Sequence, residues 1–267
     1  MLPTRQKKAL ACAVRAAKAA GQLMRRNQDS TKKINSRTRH DIKLDLDVRC
    51  QKTIEKILLE TFPGTGMLGE EGLAGSAESD WRWVVDPIDG TINFTYGIPH
   101  ACVSVALQER VSADQFETVV GAVYDPFCDE LWTAVRGGPA RLNGRIIHVS
   151  QRAELKNAIV AMGFAKGVES LRENLPVFNL MVRRVLKVRM MGSATLALVY
   201  VASGRFDVFL ESGIRLWDIA AGGLIVECAG GEYWRRQLPG YQQYQILANN
   251  GLLRRKVERV AREARRA

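Results

Sequence analysis

Apolar residues recur at helical spacing at the start of the chain. Leu10, Ala13, Ala16/Ala17, Ala20 and Leu23/Met24 share one face of residues 4–26, the three-to-four-residue period of an amphipathic helix. Asn27, Asp29, Ser30, Asn35 and Ser36 then predict a loop. A second helix is predicted from Asp47 to Phe62, with Val48, Ile54, Ile57 and Leu58 on neighbouring turns and Pro63-Gly64 as its stop. Short extended runs follow: Trp81–Val85, Ala101–Leu107, Val119–Tyr124, Leu131–Val135 and Ile146–Val149, separated by turn residues such as Asp125-Pro126 and Asn143-Gly144. The second half alternates elements: a strand at Ala158–Met162, a helix at Leu171–Leu186, a small-residue helix at Ser193–Ser203, a strand at Phe206–Glu211, a helix at Trp217–Ala229 and a basic helix from about Leu252 onward. Interleaved strands and helices with a hairpin-rich middle predict an α/β (α+β) layered sandwich with mixed sheets. The expected organisation is a single domain, 1–267, in two closely packed halves, approximately 1–150 and 151–267.

Composition narrows the class. At 267 residues and 46% hydrophobic content the chain can bury a large core. No apolar run reaches the roughly 18 residues needed to span a bilayer. The N-terminal segment is broken by Arg15 and Lys18 and reads as a helix rather than a signal peptide. Five cysteines (12, 50, 102, 128, 228) form no CxxC pair, which disfavours a disulfide framework or a zinc site and points to a cytoplasmic location. The three histidines, at 40, 100 and 148, are scattered. The net charge is +11, with Lys7, Lys8, Lys32 and Lys33 near one end and Arg254, Arg255, Lys256, Arg259, Arg262, Arg265 and Arg266 at the other. Such a balance suits a solvated surface, a phosphate-bearing substrate or a polyanionic partner.

Candidate chemistry concentrates in Trp83-Val-Val-Asp86-Pro87-Ile88-Asp89-Gly90-Thr91-Ile92-Asn93-Phe94. An apolar strand delivers two carboxylates, three apart, into a turn. Pro87 fixes φ, and Gly90 lets the backbone approach a ligand closely. Thr91 adds a hydroxyl, and the N–H groups that follow can face an anion. Acids beside an anion site repel it unless divalent cations lie between them. An oxygen-only donor set favours Mg²⁺ or Mn²⁺. Gly69-Glu70-Glu71-Gly72 precedes this strand, and Trp217-Asp218 opens a later helix. Asp45 and Asp47 open the second helix. Each of these acids, taken alone, also reads as a solvated loop or a helix cap.

Together, Gly69-Glu70-Glu71, Asp86-Pro-Ile-Asp89-Gly90-Thr91 and Trp217-Asp218-Ile-Ala-Ala-Gly222 resemble the inositol monophosphatase family of magnesium-dependent, lithium-sensitive phosphatases. The likeness extends through Gly97-Ile-Pro99, Gly138-Pro-Ala-Arg-Leu-Asn143-Gly144, Gly192-Ser193-Ala194 and Gly204-Arg-Phe-Asp207. It implies an α-β-α-β-α sandwich and hydrolysis of a small polyol or sugar phosphate, most directly inositol monophosphate. Fructose 1,6-bisphosphate, histidinol phosphate and nucleotide 3′-phosphates are substrates of relatives. The resemblance implies two or three Mg²⁺, or Mn²⁺ in substitution, on Glu70, Asp86, Asp89, Asp218 and the Ile88 carbonyl. Gly90 and Thr91 would bind phosphate. Asp47, with the Thr91 hydroxyl and with Glu71 nearby, would orient a metal-activated water. Asp89, Ala194 and Glu211 would contact the polyol. It also implies a homodimer. The chain departs from the family pattern at Leu44, where Thr is usual, at Gln51, where Glu is usual, and at Gly72, where Ser is common. A haloacid-dehalogenase phosphatase fits less well, because its two acids are spaced by two and lie near an N-terminal strand. A nucleic-acid or transcription-complex protein is the alternative of a different class. It is motivated by the basic ends and by relatives that join antitermination complexes, but no RNA-recognition or zinc-finger motif supports it.

Overall fold

The computed structural model describes residues 4–30, 32–37, 42–113, 115–164 and 168–264. Residues 1–3, His40, Asp41, Arg265 and Arg266 lie outside the described residues. In chain order the elements are α1 (Thr4–Arg26), β1 (Ile34–Arg37), β2 (Ile42–Leu44), α2 (Asp45–Thr61), β3 (Gly66–Gly69), β4 (Gly72–Gly75), β5 (Trp81–Asp89), α3 (Thr91–Thr95), β6 (Cys102–Ser112), β7 (Gln115–Asp125), β8 (Glu130–Val135), β9 (Arg141–Leu142) and β10 (Arg145–Ile146). They continue with β11 (Ile159–Phe164), α4 (Val168–Arg184), β12 (Lys187–Arg189), α5 (Ala194–Ala202), β13 (Val208–Arg215), α6 (Leu216–Cys228), β14 (Glu232–Gln237), β15 (Gln243–Asn249) and α7 (Arg254–Ala264).

Two mixed sheets result. The larger has the order β10-β9-β8-β7-β6-β5-β3-β4, antiparallel except for the parallel β3–β5 pair. The smaller has the order β12-β11-β13-β15-β14, with β11 parallel to both its neighbours. Strand alternation decides what each face buries. Trp83 and Val85 of β5, with Val103 and Val105 of β6, pack under α1 and α2. Val84 and Ala106 face the opposite way, onto α5 and α6. The other side of α5 and α6 meets Phe209, Ile246 and Ala248 of the smaller sheet. The outer face of that sheet, Val160, Met162 and Val208, is covered by Val177 and Met181 of α4 and by Val257 and Val260 of α7. The layers therefore run α-β-α-β-α. A helix between two sheets has no solvent face, which is why α5 and α6 are apolar all round. α1, on the outside, keeps the one-sided pattern.

Several elements differ from the sequence pattern. Residues 34–36 belong to β1, which pairs with β2, rather than to a loop. Trp81–Val85 extends to Asp89, its pairing with β6 shifting between Asp86 and Asp89. At Ile146–Val149 only the first residue is in a strand. Ile147 and Val149 donate instead to the carbonyls of Ala140, at 3.0 Å, and Ala229, at 3.1 Å, outside any ladder. β3, β4, β14 and β15 carry glycine or Arg and Gln in place of clean alternation, and β12 is only three residues long, so they left no strand signature.

The contact between α6 and the larger sheet is close. A Cβ at Gly121 would lie 2.9 Å from the Ala221 carbonyl oxygen. Backbone cannot yield as a flexible side chain can, so Gly121→Val is expected to cost about 1–3 kcal/mol by overpacking. Thermal unfolding should then fall by roughly 2–12 °C. An unchanged midpoint would contradict this packing.

Candidate active site

Each acidic segment reaches the site by a separate route. β3 runs parallel to β5, and the pairing continues one residue past β3 as Glu70 N–H donates to the Val85 carbonyl at 3.1 Å. Glu70 is thereby set beside Asp86. The buried Gln51 of α2 holds the following turn: its Oε1 accepts the Glu71 N–H at 2.9 Å, and its Nε2 donates to the Gly72 carbonyl at 3.3 Å. A glutamate could accept the first bond but, ionised, not donate the second. Gln51 therefore has a structural role that its place in the pattern did not reveal. Gly69 makes room for it, since a Cβ there would sit 2.3 Å from Gln51 Oε1.

At the end of β5 the buried Asp86 accepts the Ile88 N–H at 3.0 Å through Oδ1, and the Thr91 hydroxyl donates to the Ile88 carbonyl at 2.9 Å. Gly90 turns the chain with φ of +94°, where a Cβ would also come within 2.9 Å of the His100 carbonyl. It caps the short helix α3. Asn93, one turn on, donates to the carbonyls of His100 and Met191, each at 2.8 Å, tying this corner to the chain beyond β12.

Asp218 lies in the first turn of α6 and accepts the Arg215 N–H at 2.9 Å. The Thr195 hydroxyl of α5 donates to the Asp218 carbonyl at 2.7 Å, and Ser104 of β6 donates to the Trp217 carbonyl at 3.2 Å. Asp89 Oδ2 accepts the Ser193 hydroxyl at 2.6 Å and the Thr195 N–H at 2.7 Å. Ser193 also caps α5. Ser193 and Thr195 were missed as site residues. Their signal lay in Gly192-Ser193-Ala194, whose capping serine is ordinary by itself.

Ligand oxygens of Asp86, Asp89 and Asp218 all lie within 4.8 Å of one another. Burial, then the charges of Asp218, Asp47 and Glu71, push Glu70 well above the usual carboxylate range. Burial and the charges of Glu70, Asp89 and Asp218 do the same to Asp86. Burial raises Asp89 against the opposing bonds from Ser193 and Thr195. Asp218 is pushed to about 7, by burial and then Asp89. Among the described residues none of Glu70, Asp86, Asp89 or Asp218 forms a salt bridge. Carboxylates crowded in this way need protons or cations. The all-oxygen donor set fits a hard divalent ion. Asp47 is buried at the start of α2, and its Oδ2 accepts the Leu44 N–H at 2.7 Å. That bond comes from the backbone, so it survives the replacement of Thr by Leu at 44.

A cavity of about 560 Å³ opens beside the acids, lined by Asp89, Ser193, Ala194, Glu211 and Asp218 among others. Glu211, on β13, is raised to about 8 by burial and then by Asp218 and Asp89. Gly163 of β11 leaves space for it, because a Cβ there would fall 2.2 Å from Glu211 Oε2. Glu71 is half-buried on the turn after Glu70.

Residues 5–267 match the model of the inositol monophosphatase family. The chain is 38% identical to the Nus factor SuhB of Pseudomonas aeruginosa, over 82% of each chain. It is 42% identical to the inositol-1-monophosphatase of Rhizobium meliloti, over 69% of this chain and 68% of that protein. Among solved structures, the extragenic suppressor protein suhB from Bartonella henselae superposes with a TM-score of 0.87 at 33% identity, covering 94% of this chain and 97% of that one. The inositol monophosphatase from Anabaena superposes with a TM-score of 0.83 at 30% identity, over 97% of each. Fold and site together are those of a phosphoric monoester hydrolase. The chain belongs to the inositol monophosphatase family.

The raised acids set a pH dependence. The metal-free folded chain holds protons on Asp218 and Glu211 up to about 7 and about 8. The unfolded chain releases them near 4. The native state binds more protons across that window, so its stability falls as pH rises from about 4 through 8. Chelated protein should unfold at a lower temperature at pH 8 than at pH 5.5, and added Mg²⁺ should restore more at pH 8. A flat profile in EDTA would contradict the crowding of these acids.

Proposed function

We propose that this chain hydrolyses the phosphate monoester of a small polyol or sugar, with inositol monophosphate as the leading substrate. The observation that supports this most is the convergence of Asp86, Asp89 and Asp218 within 4.8 Å at the edge of a cavity faced by Glu211. Two or three Mg²⁺, replaceable by Mn²⁺, would be held by Glu70, Asp86, Asp89, Asp218 and the Ile88 carbonyl. When bound, they offset the phosphoryl charge, make water acidic enough to attack phosphorus in line, and stabilise the departing alkoxide. Gly90 and Thr91 bind phosphate through backbone N–H groups at the start of α3, which lack intrahelical acceptors. The Thr91 hydroxyl gives its proton to the Ile88 carbonyl, so its lone pairs face outward and can accept from the attacking water. Asp47 orients that water, with Glu71 alongside. Asp89, Ala194 and Glu211 orient the polyol. No covalent phosphoenzyme forms.

The same chemistry on fructose 1,6-bisphosphate, histidinol phosphate or a nucleotide 3′-phosphate is the alternative within the class. We place the enzyme in the cytoplasm, as a homodimer built from one domain per chain. Among the described residues no helix is long and apolar enough to cross a membrane. A second reading, association with transcription machinery, is favoured by the relatives named Nus factor SuhB and by the basic residues of α7. It is compatible with the first.

Phosphate release from a panel of these esters with Mg²⁺ tests the reading. Asp89→Asn should keep the fold and lose roughly 10³-fold or more in turnover, the scale of removing a preorganised charge at the reacting group. Near-normal turnover in the folded variant would reject the assignment. Glu211→Gln and Gly163→Ala should raise KM for a polyol phosphate by roughly 10-fold, the cost of one polar contact, and change a simple aryl phosphate little. Equal effects on both substrates would remove Glu211 from polyol recognition.

A further inference from the structure

A second cavity of about 560 Å³ lies where the β3–β4–β5 edge of the larger sheet meets the tip of the β14–β15 hairpin. It shares no lining residue with the cavity beside the acids. Two guanidinium groups face it. Arg82 lies 3.8 Å and Arg110 4.6 Å from the centroid of the Phe116 ring. Arg110 is tied down, to Asp80 at 3.2 Å and to the carbonyls of Ala113 at 2.8 Å and Ser79 at 3.2 Å. Arg82 is not. Its Nε donates to the neutral Gln108 at 2.9 Å, and among the described residues it forms no salt bridge.

Four of the five guanidinium donors of Arg82 therefore have no protein acceptor among the described residues. Burial lowers its pKa first; Tyr244 opposes this, while Arg110 and Arg235 add to it. Among the described residues no carboxylate pairs with this half-buried cation, and Arg110 and Arg235 repel it. A planar fork of free donors suits a phosphate in two-pronged contact. The lining also includes Tyr241, which exposes 60% of its surface, a flat face on which a planar ring can stack, and the half-buried Tyr244, whose ring lies 5.5 Å from the Arg235 guanidinium.

We propose that this cleft binds a mononucleotide, its phosphate on Arg82 beside Arg110 and its base against Tyr241. The site is independent of the catalytic reading, because the acidic cavity repels a phosphate when no divalent cation is present.

The test is calorimetric titration of the full chain in EDTA with adenosine 5′-monophosphate and, separately, with inorganic phosphate. Saturable binding of the nucleotide at one site per chain is expected. Arg82→Gln should weaken it by roughly 10-fold or more, as loss of a charge-assisted pair does. Tyr241→Ala, at an exposed turn and safe for folding, should weaken the nucleotide and leave phosphate unchanged. Phosphate binding as tight as the nucleotide would overturn the base contact. No saturable binding, binding that needs Mg²⁺, or full affinity in folded Arg82→Gln would overturn the site. If Arg82→Gln does not fold, an unchanged nucleotide affinity in Tyr241→Ala overturns it alone.

Discussion

Carboxylates within 4.8 Å of one another repel, and burial of Asp86 and Asp89 weakens the screening of that repulsion. The rest of the site is arranged around that repulsion. Hydrogen bonds from Ser193, Thr195 and the Arg215 N–H fix the positions of Asp89 and Asp218. They do not cancel the charge, since Asp218 is still pushed to about 7. A fold that spends stability on such a cluster has a use for what neutralises it, and divalent cations between acids and phosphate meet both needs at once.

The layered architecture makes the crowding achievable. Glu70 leaves the end of β3, Asp86 and Asp89 the end of β5, and Asp218 the first turn of α6. Parallel pairing of β3 with β5 places the first two segments side by side. α6, clasped between the sheets and pressed on Gly121, carries the third. The Ser104–Trp217 and Thr195–Asp218 bonds connect larger sheet, central helices and acid in one rigid frame. Misplacement of any one layer would move one acid away from the others.

Much of this was legible in the chain because its cause was local. The helical period of residues 4–26 comes from burial on one side, and the apolar runs of β6, β7 and β8 come from burial on both faces, which sequence records directly. Asp86 and Asp89 stood out through their glycine and apolar context, Asp218 only through the family resemblance, and the structure brings all three together. What stayed hidden depends on partners distant in sequence. β14 and β15 are strands because they pair with each other and β15 also pairs with β13, despite their Arg and Gln content. Ser193 and Gln51 look ordinary until the fold sets them against Asp89 and the Glu70–Glu71 turn. Gly163 looks like any glycine in a strand until Glu211 fills the space it leaves.

Diffraction from crystals soaked in Mn²⁺, recorded near the manganese absorption edge, tests the central claim most directly. The account requires anomalous peaks among Glu70, Asp86, Asp89 and Asp218, lost on soaking with EDTA. A strong peak elsewhere with none among these acids, in crystals that diffract as well, would contradict it.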